Sequence, residues 1–278
     1  MLSARETPPA AAHGFAGQNR GMRLVTFNVQ HGRGSGTRRV DVGRLEEAIR
    51  ALEPDVLALQ EVDHRQLRSG RADLTAVAGR AMGAADARLA VTLRGPVGLW
   101  HEPRHDEPPR GAAYGVALLT RYPARRWRTV RLPRRRGVTW AHREGRRLPR
   151  PLHDHPRAAL AATLDTPLGT LTAVCAHLSF VSGQNAAQAR FLVDALVGAP
   201  RPLVLLGDLN LGPTSAARST GMTSLADALT YPMDAPTAQI DHMLVDGRLR
   251  ATGPARSVAT GVSDHRALVV DVELTPND

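Results

Sequence analysis

The chain of 278 residues contains no lysine; all 36 of its basic residues are arginine. It has a single cysteine, Cys175. That excludes an internal disulfide framework and any multi-cysteine zinc site, and it suits a reducing, cytoplasmic setting. No apolar run approaches the roughly 18 residues a membrane-spanning helix needs. Aromatic residues make up only 4% of the chain, too few for an extensive base-stacking surface. The N-terminal stretch MLSARETPPAAAHGFAGQNRG has no apolar core of the kind a secretory signal carries. It reads as a flexible tail, residues 1–21, ahead of one domain spanning 22–275, with Met22 a candidate start.

What is present sets further bounds. Apolar residues form 42% of the chain, enough for a sizeable core, and the length allows one large domain or two small ones at about 100–200 residues each. The formal net charge is +10. Arginine used without lysine, in an alanine-rich chain, is what a GC-rich genome produces by codon bias, so arginine content alone says little about phosphate binding. Its distribution says more. Residues 121–157 hold 13 arginines against Glu144 and Asp154, a net of +11, whereas the remainder holds 23 arginines against 24 acids.

Short β-like runs alternate with helical patterns. Strands are expected at 24–29, 55–62, 88–93, 115–120, 127–132, 159–165, 169–178, 202–208, 239–245 and 267–274. A Thr166–Pro167–Leu168–Gly169 turn joins two of them into a hairpin. Helices are expected after Asp41, which can cap, up to Pro54; over 73–82; and over 184–197 through Phe191, Leu192, Ala195 and Leu196. Segments 94–113 and 133–156 read as long loops. Several strands follow one another without a helix, so a purely parallel sheet does not fit. Two packed mixed sheets flanked by helices do.

The informative polar residues stand at strand ends. Asn28 closes the first strand; Gln60 and Glu61 close the second; His177 closes the hairpin. Asp208 and Asn210 follow the run PLVLLG, Asp241 and His242 interrupt QI–MLV, and Asp264 and His265 precede the last strand. Acids inside apolar runs are costly unless paired or bound to metal. Each taken singly has a plain structural explanation, such as a turn or a satisfied core histidine. Gathered together they make a hard-oxygen donor set suited to Mg²⁺ or Mn²⁺.

The ordered series TFNVQHG (26–32), LQEVD (59–63), YGVALLTRYP (114–123), HPRAAL (155–160), CAHLS (175–179), GDLNLGP (207–213), IDHMLV (240–245) and SDHRAL (263–268) resembles the endonuclease/exonuclease/phosphatase superfamily, the DNase I-like group. It also includes exonuclease III-like repair endonucleases, neutral sphingomyelinases and inositol-polyphosphate 5-phosphatases. The resemblance runs from about Arg23 to Glu273. It implies an α/β four-layer sandwich of two mixed β-sheets between α-helices, and metal-dependent hydrolysis of a phosphate ester. Carried over by position, Glu61, Asn28 and Asp264 are metal ligands. Asp208 and Asn210 grip the attacking water or a second metal and the phosphate. His265 is the general base, oriented by Asp241, and His177 contacts the phosphate or assists the leaving group. Exonuclease III-like members generally lack that second histidine, which tilts the chain away from abasic-site repair. Arg157 and Tyr114 are candidate phosphate contacts. Many members carry a glutamate just before the Pro–Arg pair, where this chain has His155.

A Mg²⁺-dependent phosphodiesterase of nuclease type, monomeric, is the expectation. The alternatives are a lipid or inositol phosphate esterase of the same family, or a catalytically silent nucleic-acid-binding member. The basic stretch is the one substrate clue: if it lines the cleft it neutralises a polyanion, with Trp127 and Trp140 placed to stack on bases. The histidines His101, His105, His142, His153 and His155 read as exposed loop residues. No exposed apolar hairpin of a lipid-inserting kind is recognisable.

Overall fold

The computed structural model describes residues 21–34, 39–103, 106, 108–134, 139–141, 150–152 and 154–276. All but one residue of the expected N-terminal tail, and much of the basic stretch, lie outside them. In chain order the elements are β1 (Met22–Asn28), α1 (Val42–Leu52), β2 (Val56–His64), α2 (Leu74–Met82), β3 (Asp86–Arg94), β4 (Ala113–Thr120), β5 (Ala124–Arg131), β6 (Thr139–Ala141), β7 (Arg150–Leu152), β8 (Ala158–Thr166), β9 (Gly169–His177), α3 (Gln184–Ala195), β10 (Leu203–Asp208), α4 (Pro213–Thr220), β11 (Thr223–Ser224), β12 (Asp241–Asp246), β13 (Leu249–Ala251), β14 (Arg256–Val258) and β15 (Ala267–Leu274).

Local chemistry sets the helix ends. The Asp41 side chain accepts the Arg44 amide at the start of α1, and Glu53 turns left-handed to close it before Pro54. Asp73 caps α2 in the same way, through the amides of Thr75 and Ala76. α4 carries no apolar pattern, and the sequence reading passed over it. Its signals are Pro213 in the first turn and the left-handed Gly221 at the end.

One sheet has the order β13-β15-β1-β2-β4-β3, with β14 also on β15; the other runs β11-β12-β10-β9-β8-β5. β1–β2 and β9–β10 pair in parallel, joined through α1 and α3 respectively, and the other pairings are antiparallel. Both sheets are mixed, so the two-sheet expectation holds. Alternation along each strand splits the core into layers. Leu24, Val56, Ala58, Leu118, Leu160, Ala173, Val204, Leu206 and Met243 meet between the sheets. The intervening Val25, Phe27, Leu57, Leu59 and Leu119 pack under α1 and α2. Val174, Ala176 and Leu205 pack under α3 and α4. These three packed interiors separate helices, sheet, sheet and helices, the four layers of a DNase I-like sandwich.

Leu206 is fully buried in the inter-sheet layer. Leu206→Ala is expected to cost about 2–5 kcal/mol of stability, measured by urea unfolding. A loss under about 1 kcal/mol contradicts that packing.

Candidate active site

The alternation that builds the inter-sheet layer also builds the site. Following the same parity, Leu24 and Thr26 lead to Asn28 on β1, Val56 and Ala58 to Gln60 on β2, and Ala173 and Cys175 to His177 on β9. Likewise Val204 and Leu206 lead to Asp208 on β10, while on the antiparallel strands Leu118 and Val116 lead back to Tyr114, and Val245 and Met243 to Asp241. All these chains end at one edge of the layer. There the apolar filling stops and a cleft of about 440 Å³ opens.

Glu61 breaks the rule and reaches the cleft anyway. The β2–β4 register shifts between Leu59 and Val62, so β2 carries one extra residue, and Glu61 takes a left-handed φ of 58°. A bulge of this kind re-aims a side chain, and the left-handed backbone is a strain that a site can store. It lets Gln60 and Glu61 serve the same side. Gln60 Nε2 donates to Thr26 Oγ1 at 3.1 Å and to Cys175 Sγ at 3.4 Å, tying the sheets together. Its partners are thus strand residues of both sheets. Gly207, before Asp208, has room for no side chain: a Cβ there would sit 1.9 Å from the Ala176 carbonyl oxygen.

Amides on α3 hold the loops that leave β9 and β10. Gln188 Oε1 accepts the Ser179 amide at 2.8 Å, and Asn185 Nδ2 donates to the Asn210 carbonyl at 2.7 Å. Gln184 Nε2 donates at 2.8 Å to Asp154, which pairs with Arg157 at 3.3 Å. The buried face of α3 is therefore Gln184, Asn185, Gln188, Ala189 and Leu192. Phe191, expected in the core, is 43% exposed. Polar anchoring to site loops outweighs the apolar stripe.

Across the cleft, Asn28 Nδ2 donates to Asp208 Oδ2 at 3.0 Å and to Glu61 Oε1 at 3.4 Å. His265 Nδ1 is 2.9 Å from Asp241 Oδ2, which also accepts the Thr230 hydroxyl at 2.6 Å. The Nε2 atoms of His177 and His265 stand 3.4 and 3.8 Å from Asp208 Oδ2. Burial raises Glu61 above the usual carboxylate range, and the facing Asp264 raises it further against the Asn28 donor. Burial and the neighbouring Asp241 raise Asp208 too. Burial alone would lower His265, but Asp241, Asp208 and Asp264 outweigh it and bring the imidazole up to about 9. Burial, with Arg157, His265 and His155 nearby, holds His177 well below the ordinary histidine value. Burial, and then the Glu61 charge, raises Tyr114.

The structure brings together the residues to which the family resemblance gave a role. Asn28, Glu61, Tyr114, Arg157, His177, Asp208, Asn210, Asp264 and His265 line the cleft, and Asp241 lies fully buried behind His265. His242 faces away and bonds the Leu211 carbonyl at 2.7 Å. His155, expected simply as a loop residue, is exposed but lines the cleft edge-on to Trp100, 5.3 Å between ring centroids. Sequence reasoning missed His31, Arg68, Trp100, Phe180 and Tyr231 in the lining. Trp100, Phe180 and Tyr231 join the expected Tyr114, so four of the chain's few aromatic residues stand at one cleft.

The basic stretch is less free than its sequence suggests. Arg121, Arg125, Arg131 and Arg134 pair with Asp55, Asp165, Asp106 and Glu102 from outside it. Among its described residues only Arg157 is an arginine of the cleft. Trp127 packs against the inter-sheet core with Arg88 over its ring, away from the cleft. The side chain of Trp140, together with His105, His142 and His153, lies outside the described residues.

The donor set fits a hard divalent cation. Glu61 and Asp264 offer carboxylate oxygens beside the Asn28 amide, and their mutual repulsion calls for positive charge. Asp208, Asp241 and His265 also place atoms within 4.8 Å of one another. Within that trio Asp241 Oδ2 already holds His265 Nδ1 and the Thr230 hydroxyl, while His265 Nε2 stands 3.8 Å from Asp208, so His265 and Asp241 read as a hydrogen-bonded pair beside Asp208.

Residues 25–265 match the model of the Endonuclease/Exonuclease/phosphatase family. No curated protein matches the chain in sequence. Among solved structures it is similar in fold to an endonuclease/exonuclease/phosphatase protein of Beutenbergia cavernae, with TM-score 0.66 and 22% identity over 92% of this chain and 72% of that one. It is similar to a mannosyl-6-phosphatase of Bacteroides thetaiotaomicron, with TM-score 0.60 and 14% identity over 90% of this chain and 99% of that one. It is also similar to D. rerio TDP2 complexed with a single strand DNA product, with TM-score 0.59 and 14% identity over 91% and 98%.

Two pH effects follow for the protein in EDTA. An acid raised by burial costs stability while ionised, and the cost disappears on acidification. Glu61→Gln is therefore expected to melt above wild type near neutral pH, with the gap closing as pH falls; a lower melting temperature contradicts the burial argument. For His265 the charged form is the favoured one, and stability again falls as pH rises. Its raised value gives stability that is full below the ordinary histidine value and lost as pH rises through about 9. The stability difference between wild type and His265→Ala should shrink over that window, and a difference that is flat with pH contradicts it.

Proposed function

The chain belongs to the endonuclease/exonuclease/phosphatase family of phosphoester hydrolases, and on that premise we propose that it is a Mg²⁺-dependent phosphodiesterase of nuclease type. The observation that carries this is the pairing of two features across one cleft: the opposed acids Glu61 and Asp264, and a histidine fixed by a buried aspartate at 2.9 Å.

Glu61, Asn28 and Asp264 would hold the cation. A bound divalent ion supplies positive charge against the non-bridging phosphate oxygens and, by neutralising the acids around His265, lowers the pH at which the imidazole becomes a base. The residues do the rest. Asp241 accepts the Nδ1 proton and so leaves the Nε2 lone pair toward the cleft. His265 takes a proton from the attacking water there. Asp208 and Asn210 orient that water and the phosphate. Arg157 adds charge on the phosphate oxygens, and Tyr114, kept as the phenol, can donate a hydrogen bond to one of them. His177, whose Nε2 shares the Asp208 oxygen with His265, assists the departing oxygen.

A lipid phosphodiester is the second possibility, and one observation favours it. Leu67, Val97 and Leu99 are exposed on the loops that carry Arg68 and Trp100. Arg94 and His101 pair across the second loop, so Val97 and Leu99 sit at a hairpin tip that the sequence did not reveal.

Hydrolysis of bis(p-nitrophenyl) phosphate with Mg²⁺ is expected to stop in EDTA and to fall by about 10²–10⁴-fold in His265→Ala, with Glu61→Ala equally impaired. Activity that survives either substitution removes the assignment. Plasmid, single-stranded DNA, RNA, sphingomyelin and inositol phosphates, compared side by side, test the substrate. Cleavage of nucleic acid should drop steeply with salt; preference for sphingomyelin would favour the lipid possibility.

A further inference from the structure

The loop before β12 is built into the His265–Asp241 pair. Thr230 is fully buried, as is Asp241. Its hydroxyl donates at 2.6 Å to the same Asp241 Oδ2 that faces His265 Nδ1 at 2.9 Å. Among the described residues the other carboxylate oxygen, Asp241 Oδ1, is buried and has no hydrogen-bond partner. The orientation of this carboxylate therefore rests on two donors at one oxygen, and only one of them is outside the pair itself.

Thr230 cannot easily drift. Its amide donates to the Ala238 carbonyl at 2.9 Å, and its carbonyl accepts the Arg266 amide at 2.8 Å, one residue past His265. Three residues on, the Met233 amide donates to the Asp264 carbonyl at 2.7 Å. The next side chain, Tyr231, lays its ring against that of His265 with 4.9 Å between centroids. The loop thus grips the histidine segment by its backbone on both sides, its ring from one face, and its partner acid through a hydroxyl.

We propose that Thr230 is the positioning residue of the site: its hydroxyl locks the rotamer of Asp241 and thereby the orientation of the His265 ring. This rests on His265 acting as the base. A group that orients a reacting residue affects turnover more than binding, and loss of such an outer contact typically costs about 10–100-fold.

The test uses the full chain with Mg²⁺ and bis(p-nitrophenyl) phosphate, with His265→Ala alongside. Thr230→Val is expected to lower kcat by about 10–100-fold with KM nearly unchanged, and Thr230→Ser, which keeps the donor, to restore it. Nitrogen-edited NMR of the His265 ring supplies a readout independent of turnover: its Nδ1–H signal should shift in Thr230→Val or Thr230→Ala and return in Thr230→Ser. If Thr230→Val keeps wild-type kcat and an unmoved Nδ1–H signal while His265→Ala is inactive, the Thr230 role is wrong and the base assignment stands. If His265→Ala is itself active, both fall. A Thr230→Ser protein as impaired as Thr230→Val also overturns the role, because the donor would then be irrelevant.

Discussion

Two sheets that bury both faces leave one place for acids and amides, the rim where the packed layer ends. That constraint organises the molecule. Strand alternation directs one side-chain set between the sheets, and each set turns polar at the same edge, in Asn28, Tyr114, His177, Asp208 and Asp241. The hydrogen bond from Asn28 to Asp208, 3.0 Å long, is where the two sheets meet at that edge. The two parallel pairs, β1–β2 and β9–β10, deliver the ends of four strands to it. Ligand sites in α/β sheets commonly form outside such carboxyl ends.

Stability and chemistry pull against each other at this edge. Glu61 and Asp208 are both raised by burial, and Glu61 also holds a left-handed backbone at a bulge. These features weaken the folded state without a cation and prepare it for one. His265 shows the same tension from the other side. The acids that crowd it stabilise the imidazolium, whereas base catalysis needs the neutral ring. One divalent charge among those acids would relieve both problems, which is why the proposed cation and the histidine–aspartate pair belong to one account.

Ten strands were legible because they contain short apolar runs, and the polar residues were legible because they interrupt or end such runs; β6, β7, β11, β13 and β14, of two or three residues each, were not, and β6 and β7 fall where a long loop was expected. Three kinds of feature were hidden. The bulge at Glu61 depends on pairing with β4, a non-local register that no local pattern carries. The loop residues Arg68, Trp100, Tyr231 and Thr230 reach the site through turns whose path the sequence does not specify. The buried face of α3 is made of amides, so a search for apolar spacing placed Phe191 inside and overlooked Gln188. The excess charge of 121–157 likewise misled, since acids distant in sequence neutralise several of its arginines in space.

The central claim is that a hard cation sits beside Glu61 and Asp264, in the same cleft as a histidine held by aspartate. Anomalous diffraction from crystals soaked in Mn²⁺ tests it most directly. A peak within bonding reach of the Glu61 and Asp264 carboxylates, with the His265–Asp241 hydrogen bond intact, is the predicted result. A peak inside the Asp208–Asp241–His265 trio, or none in the cleft, would contradict it.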